Sequence, residues 1–230
     1  MPKERPTRQT PLRIGHRGAA GHAPENTLES IRAAIGFGVD QVEVDLRASR
    51  DGHLVVIHDE TVDRTTGGKG KVADLPLAEL TTLDAGCGQS IPTLEEVLEL
   101  AHGRVGLMLE LKVAGIAVQT VELVRQRRFT GAVIYASFLL HELILVRQAD
   151  ADAKTLALFD EIPQDAVAQA LTVRASHVGL NYKTATTQTI MAFHRAGLQI
   201  FVYTVNEPHD IQAMRALGVD GIISDFPDRI

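Results

Sequence analysis

The chain has 230 residues, 45% hydrophobic and 23% charged, an ordinary globular composition with enough length for one large core. A formal net charge of −6 gives no general attraction to polyanions, so nucleic acid is not an expected partner. The single cysteine, Cys87, excludes an intramolecular disulfide and a thiolate zinc cluster, and agrees with an expected cytoplasmic location.

Residues 1–11 are basic and polar and lack the apolar run of a signal peptide, and no stretch reaches membrane-spanning length, so no membrane insertion is expected. Residues 12–16 read as a first strand. Leu28, Ile31, Ile35 and Val39 then fall at helical spacing, with Asn26 in the N-cap position and Glu29 three residues on. Strands follow at 42–46 and 54–58. Later strand candidates are 105–111, 133–137, 155–159, 177–180, 200–204 and 221–224. Helical patterns lie between them at 94–100, 118–127, 141–147, 166–171, 187–195 and 211–217.

Such alternation argues for a parallel sheet with helices outside. No Gly-x-Gly-x-x-Gly or P-loop follows the first strand, which disfavours an open doubly wound sheet. The expected fold is a single-domain TIM-type (β/α)8 barrel over 1–230, with one of the nine strand candidates outside the ring. The stretch between Asp45 and His58 is too short for a crossover helix. It is expected to descend in extended form, reverse at Asp51-Gly52 and climb back.

In a barrel, polar groups at the C-terminal ends of strands form the active site. The first strand ends in His16-Arg17-Gly18. The second carries Glu43 and Asp45, which at i and i+2 project from one face. The third ends in His58-Asp59, and the fourth carries Glu110 and Lys112. Buried carboxylates in apolar strands need a partner. A hard divalent cation suits Glu43, Asp45 and Glu110, with Mg²⁺, Ca²⁺ or Mn²⁺ favoured over zinc. The bland alternative is a structural network with Arg17, Arg47 and Lys112; two histidines beside three carboxylates weigh against it. His16 and His58 fit general acid–base work on a phosphoryl centre, with Arg17 and Lys112 offsetting oxygen charge. The other histidines read as incidental.

HRG, PENT (Pro24 to Thr27), EVDL (Glu43 to Leu46), DGHLVVIHD ending at Asp59, and RTT (Arg64 to Thr66) occur in that order. IPTLEEVL, LELK, YTVN (Tyr203 to Asn206) and GVDGIISDFPD follow. This ordered set resembles the glycerophosphodiester phosphodiesterase family across nearly the whole chain, especially its compact bacterial cytosolic members. The resemblance implies a TIM barrel that hydrolyses deacylated phospholipids, a small-molecule substrate, to sn-glycerol 3-phosphate and an alcohol. It implies His16 and His58 as the acid–base pair, Glu43, Asp45 and Glu110 as metal ligands, and Arg17 and Lys112 at the phosphate. A route through a cyclic phosphate is open.

Two features depart from the family pattern. Many relatives carry tryptophan where this chain has Tyr203, an aromatic wall for the glycerol whose hydroxyl needs a partner. Residues 61–93 are short beside the insertion domain of some members and are expected to form a lid, helical only at 77–83, that meets the alcohol head group. In PENT, Pro24 as a stiffener and Asn26 as a helix cap suffice. Asp225 ends the last strand and could face the site or begin the final turn. The rival readings are a related phosphodiesterase acting on lysolipid or inositol head groups, a non-catalytic sugar-phosphate binder, and a glycosidase using two of the carboxylates.

Overall fold

The sequence periodicities resolve, in a computed structural model describing residues 10–230, into strands β1 (Leu12–Gly15), β2 (Gln41–Ala48), β3 (Leu54–Val56), β4 (Gly106–Leu111), β5 (Val133–Ser137), β6 (Lys154–Phe159), β7 (His177–Asn181), β8 (Gln199–Tyr203) and β9 (Gly221–Ser224). The helices are α1 (Leu28–Gly36), α2 (Leu77–Leu80), α3 (Leu94–Ala101), α4 (Ala117–Gln126), α5 (Leu140–Ala149), α6 (Ala166–Thr172), α7 (Thr187–Arg195) and α8 (Pro208–Leu217). The expectation drawn from residues 1–9 lies outside the described residues. No helix among those described is long and apolar enough to cross a membrane.

Eight parallel strands close into a barrel in the order β1-β9-β8-β7-β6-β5-β4-β2, with β1 pairing back onto β2. Alternation decides what each strand sends where. Val42, Val44 and Leu46 pack outward with Ile31, Ala34, Leu94 and Leu98. On the far side, Val178, Leu180, Ile200 and Val202 meet Ile190, Phe193 and Ile211. The interior is plugged by Ile14, Met108, Ile134, Leu156, Leu158, Phe201 and Ile223. Gly179 makes room for that plug, because a Cβ there would lie 2.6 Å from a Leu158 methyl. Glu43 and Asp45 share the inward face of β2, where Asp45 stands in register with Glu110.

The ninth strand candidate is β3. It pairs antiparallel with β2 through Leu46↔Val56, Arg47↔Val55 and Ala48↔Leu54. β4 occupies one edge of β2 from Gln41 to Leu46, while β1 covers only Gln41 and Val42 on the other. β3 therefore takes the edge that β1 leaves free above the ring. This corrects two expectations. His58 does not close a barrel strand, and the chain does not descend after Asp45. It runs on outward past the mouth, reverses at Asp51-Gly52 (Gly52 φ +83°), and returns inward to His58. The reason is the length of β2, whose eight residues outrun the neighbouring strand.

Residues 61–93 pack on the strand they follow. Val62, Val72, Leu80, Ala85 and Ile91 are buried against Val55 and Ile57 in a cluster of their own. Bridges Thr61↔Lys71 and Asp84↔Ser90 tie the excursion; its helical parts are a 3-10 turn at Val72–Asp74, which was not expected, and the single turn of α2, shorter than the predicted 77–83.

Candidate active site

The turn after β1 sets the geometry of the mouth. Arg17 and Gly18 both have positive φ, +49° and +85°, and a Cβ on Gly18 would lie 2.2 Å from Ser30 Oγ, so only glycine fits there. This turn aims the Arg17 backbone N–H at Glu43 Oε2 (2.8 Å), and Ser30 Oγ donates to the Arg17 carbonyl (2.8 Å). The Arg17 guanidinium donates to Glu25 Oε1 at 2.7 Å and lies 3.3 Å from Asp45 Oδ2.

Ligand oxygens of Glu43, Asp45 and Glu110 all lie within 4.8 Å of one another. Lys112 Nζ donates to Glu110 Oε1 (2.7 Å) and stands 3.5 Å from Asp45 Oδ1. The bland network is thus half correct, since Arg17 and Lys112 do face these carboxylates. Arg47 does not; it donates to the His58 carbonyl at 2.9 Å. Nor is the network complete, for Glu43 Oε1 is buried with no hydrogen-bond partner. Burial, reinforced by the Asp45 charge, pushes the Glu43 carboxyl up to about 8. Burial would raise Asp45 too, but Lys112 and Arg17 outweigh it and hold Asp45 below the usual range. Glu110 is raised, by burial first and then by Asp45. An all-oxygen set with an orphaned buried oxygen fits a hard divalent cation.

Each histidine is tethered through Nδ1. His16 bonds Asp225 Oδ1 at 2.6 Å, and His58 bonds Asp59 Oδ1 at 2.7 Å. Asp225 therefore faces the site. Burial opposes charge on His16, yet the Asp225 bond and the Glu43 charge raise its pKa overall. Burial lowers that of His58 despite Asp45 and Asp59.

His16, Glu43, Glu110, Phe138 and Tyr203 line one cleft over the barrel plug. His58 lines an adjoining hollow with Glu25, Asn26 and Thr65. Phe138 and Tyr203 meet edge to face at 6.2 Å, and Lys112 Nζ lies 5.8 Å from the Phe138 ring centre. Tyr203 Oη is buried without a partner.

Asn26 does not cap α1, contrary to expectation. Thr27 does, its hydroxyl accepting from Ser30 N. Asn26 sits at φ +58°, a conformation asparagine tolerates better than most residues, and binds Asp45 twice: its amide donates to Oδ2 (2.8 Å) and its oxygen accepts from the backbone N–H (3.2 Å). Two cap-competent residues in succession were the available signal that one was free for other work. Glu25, Asp59, Arg64 and Asn206 were also unassigned. Asn206 donates to Asp225 Oδ2 at 2.7 Å, and Arg64 bridges Asp59 and Glu25.

The sequence profile of the Glycerophosphoryl diester phosphodiesterase family matches residues 16–229. A glycerophosphodiester phosphodiesterase of Caldanaerobacter subterraneus subsp. tengcongensis is 35% identical over 95% of this chain and 96% of its own. One from Bacillus altitudinis is 34% identical over 94% and 95%. Among solved structures, an Oleispira antarctica phosphodiesterase in complex with the product sn-glycerol-3-phosphate superposes with a TM-score of 0.91 at 30% identity, covering 96% of this chain and 95% of that one. The Agrobacterium tumefaciens glycerophosphodiester phosphodiesterase gives 0.85 at 31%, covering 96% and 98%.

Proposed function

This chain belongs to the glycerophosphoryl diester phosphodiesterase family and is a phosphoric diester hydrolase, and from that premise we propose how its mouth performs the reaction. The substrate is a glycerophosphodiester and the products are sn-glycerol 3-phosphate and an alcohol. That assignment draws on the product held by the Oleispira antarctica relative.

Glu43, Asp45 and Glu110 would hold a divalent cation, Mg²⁺, Ca²⁺ or Mn²⁺. When bound, it supplies Lewis-acid polarisation of the phosphoryl oxygens. Arg17 and Lys112 place two further cationic groups beside those carboxylates, ready to meet the non-bridging oxygens. The Nδ1 tethers of His16 and His58 leave each Nε2 for the substrate. One imidazole takes the proton of the attacking oxygen and the other returns a proton to the leaving alkoxide. Tyr203 and Phe138 wall the cleft against the glycerol. Turnover occurs in the cytoplasm, a reading supported by the lone cysteine.

The observation that carries this reading is the orphaned Glu43 oxygen among three converging carboxylates, flanked by two tethered histidines. The test is release of glycerol 3-phosphate from glycerophosphocholine, glycerophosphoethanolamine and glycerophosphoglycerol, with each metal or chelator. His16→Ala and His58→Ala serve as controls. Metal-dependent release lost in either variant supports it. Release that persists in chelator, or in both variants, would sink it.

A further inference from the structure

The RTT motif has no part in the reaction as described so far, yet the side chain of its first residue makes four hydrogen bonds at the mouth. Arg64 Nε donates to Asp59 Oδ2 (2.6 Å), and Nη2 donates to Asp59 Oδ1 (2.9 Å). On its other side Nη1 donates to Glu25 Oε2 (2.8 Å) and Nη2 to Glu25 Oε1 (2.8 Å). Two carboxylates are thus gripped by one planar guanidinium, a geometry that lysine cannot supply.

Each gripped carboxylate has a second duty through the same oxygen. Asp59 Oδ1 holds His58 Nδ1 at 2.7 Å, and Glu25 Oε1 accepts from Arg17 Nη1 at 2.7 Å. A continuous chain therefore runs His58–Asp59–Arg64–Glu25–Arg17. Its ends come from separate parts of the fold: His58 from the strand outside the ring, Arg17 from the turn after β1. No direct hydrogen bond or ion pair between His58 and Arg17 is present among the described residues. Arg64 is the joint.

We infer that Arg64 is a positioning residue, which fixes His58 relative to Arg17 and so relative to the phosphate between them. The inference rests on the roles given to those two residues above. It assigns the excursion at 61–93 a task, for its buried cluster under Val62 holds the backbone from which Arg64 reaches back.

A purely stabilising role predicts something different. Arg64 is 49% exposed, so solvent screening limits what its ion pairs contribute, yet its paired bonds to Glu25 and Asp59 still stabilise the fold. Its removal should lower Tm in either case, but only a positioning role also lowers the turnover of enzyme that is still folded, by displacing His58 and Arg17. Displacements of about 1 Å at reacting groups cost on the order of 10²-fold in rate.

The experiment uses the metal-loaded enzyme and glycerophosphocholine, comparing wild type, Arg64→Ala, Arg64→Lys and Lys71→Ala. Lys71 lies on the same excursion, paired at the surface with Glu60, and serves as the neutral control. We expect kcat of Arg64→Ala, measured well below its Tm, to fall on the order of 10²-fold. Arg64→Lys should recover little, and added guanidinium ion should restore a measurable part of the lost activity. Methylammonium at equal ionic strength should not. Arg64→Ala turning over within about threefold of wild type would overturn the inference. So would a loss that guanidinium fails to lift. Absence of wild-type turnover would overturn the proposed function and this inference together, whereas an active wild type with an unimpaired Arg64→Ala overturns this inference alone.

Discussion

His16 Nδ1 and Asp225 Oδ1 lie 2.6 Å apart, and the other Asp225 oxygen accepts from Asn206 Nδ2 at 2.7 Å. Asn206 in turn accepts from the Asp225 backbone N–H at 2.9 Å and from Ser224 Oγ at 3.0 Å. The carboxylate is fixed at both oxygens, and it fixes the tautomer and the plane of the imidazole. Asp225→Asn should lower kcat by on the order of 10²- to 10⁴-fold, as expected when a histidine loses its orienting carboxylate, with KM nearly unchanged. Steady-state kinetics on glycerophosphocholine decide this; a kcat within a few-fold of wild type would show the tether to be dispensable.

The Glu43 carboxylate is buried with one oxygen unpartnered, an arrangement unfavourable until a cation arrives. Glu43→Gln should therefore leave the metal-free protein as stable as wild type or more so, while abolishing the rise in Tm that Mg²⁺, Ca²⁺ or Mn²⁺ gives the wild type. Thermal melts with and without metal read both effects. A Glu43→Gln protein that still gains stability from the metal would remove Glu43 from the ligand set.

Glu25 bears on acid stability. Burial alone would raise its carboxyl, but the hydrogen bonds from Arg64 and the charge of Arg17 bring it down to about 2 from 4.5. A carboxyl depressed in the folded state contributes stability above its unfolded pKa and loses it as pH falls through the folded value. The loss should thus lie between pH 4.5 and about 2. It should amount to roughly 2 kcal/mol once partial solvent screening is allowed for. Glu25→Gln should flatten the acid limb of the Tm–pH curve in that window, and an unchanged limb would contradict the assignment.

Tyr203 Oη is buried without a protein partner and Tyr203 lines the cleft, which makes a substrate hydroxyl its natural acceptor or donor. Tyr203→Phe should stabilise the free enzyme by about 1 kcal/mol, because an unsatisfied buried hydroxyl is removed. It should also raise KM several-fold with kcat little changed, as loss of a ground-state contact does. Raised Tm without raised KM would separate the hydroxyl from substrate binding.

The barrel was legible because strand and helix periods alternate cleanly; seven of the eight candidate site residues were legible because polar groups interrupt apolar strand ends, and Tyr203 through the motif it shares with the family. What the sequence hid has identifiable causes. The ninth strand carries the same apolar pattern as its neighbours, so only pairing geometry shows that it lies outside the ring. Asn26 obeyed a capping rule that its neighbour Thr27 obeyed better. Arg64 and Asp59 are charged residues of one loop whose meaning lies in their convergence with the distant Glu25, and convergence of loops leaves no period to read.

Because β3 borrows the free upper edge of β2 and adds nothing to the ring, the stagger of the eight closing strands is independent of whatever follows β3. Residues of that excursion make no pairing within the ring itself. The rim is thus the expected graft point of this architecture, provided the incoming segment covers Val55 and Ile57 and returns an arginine to the gap between Asp59 and Glu25.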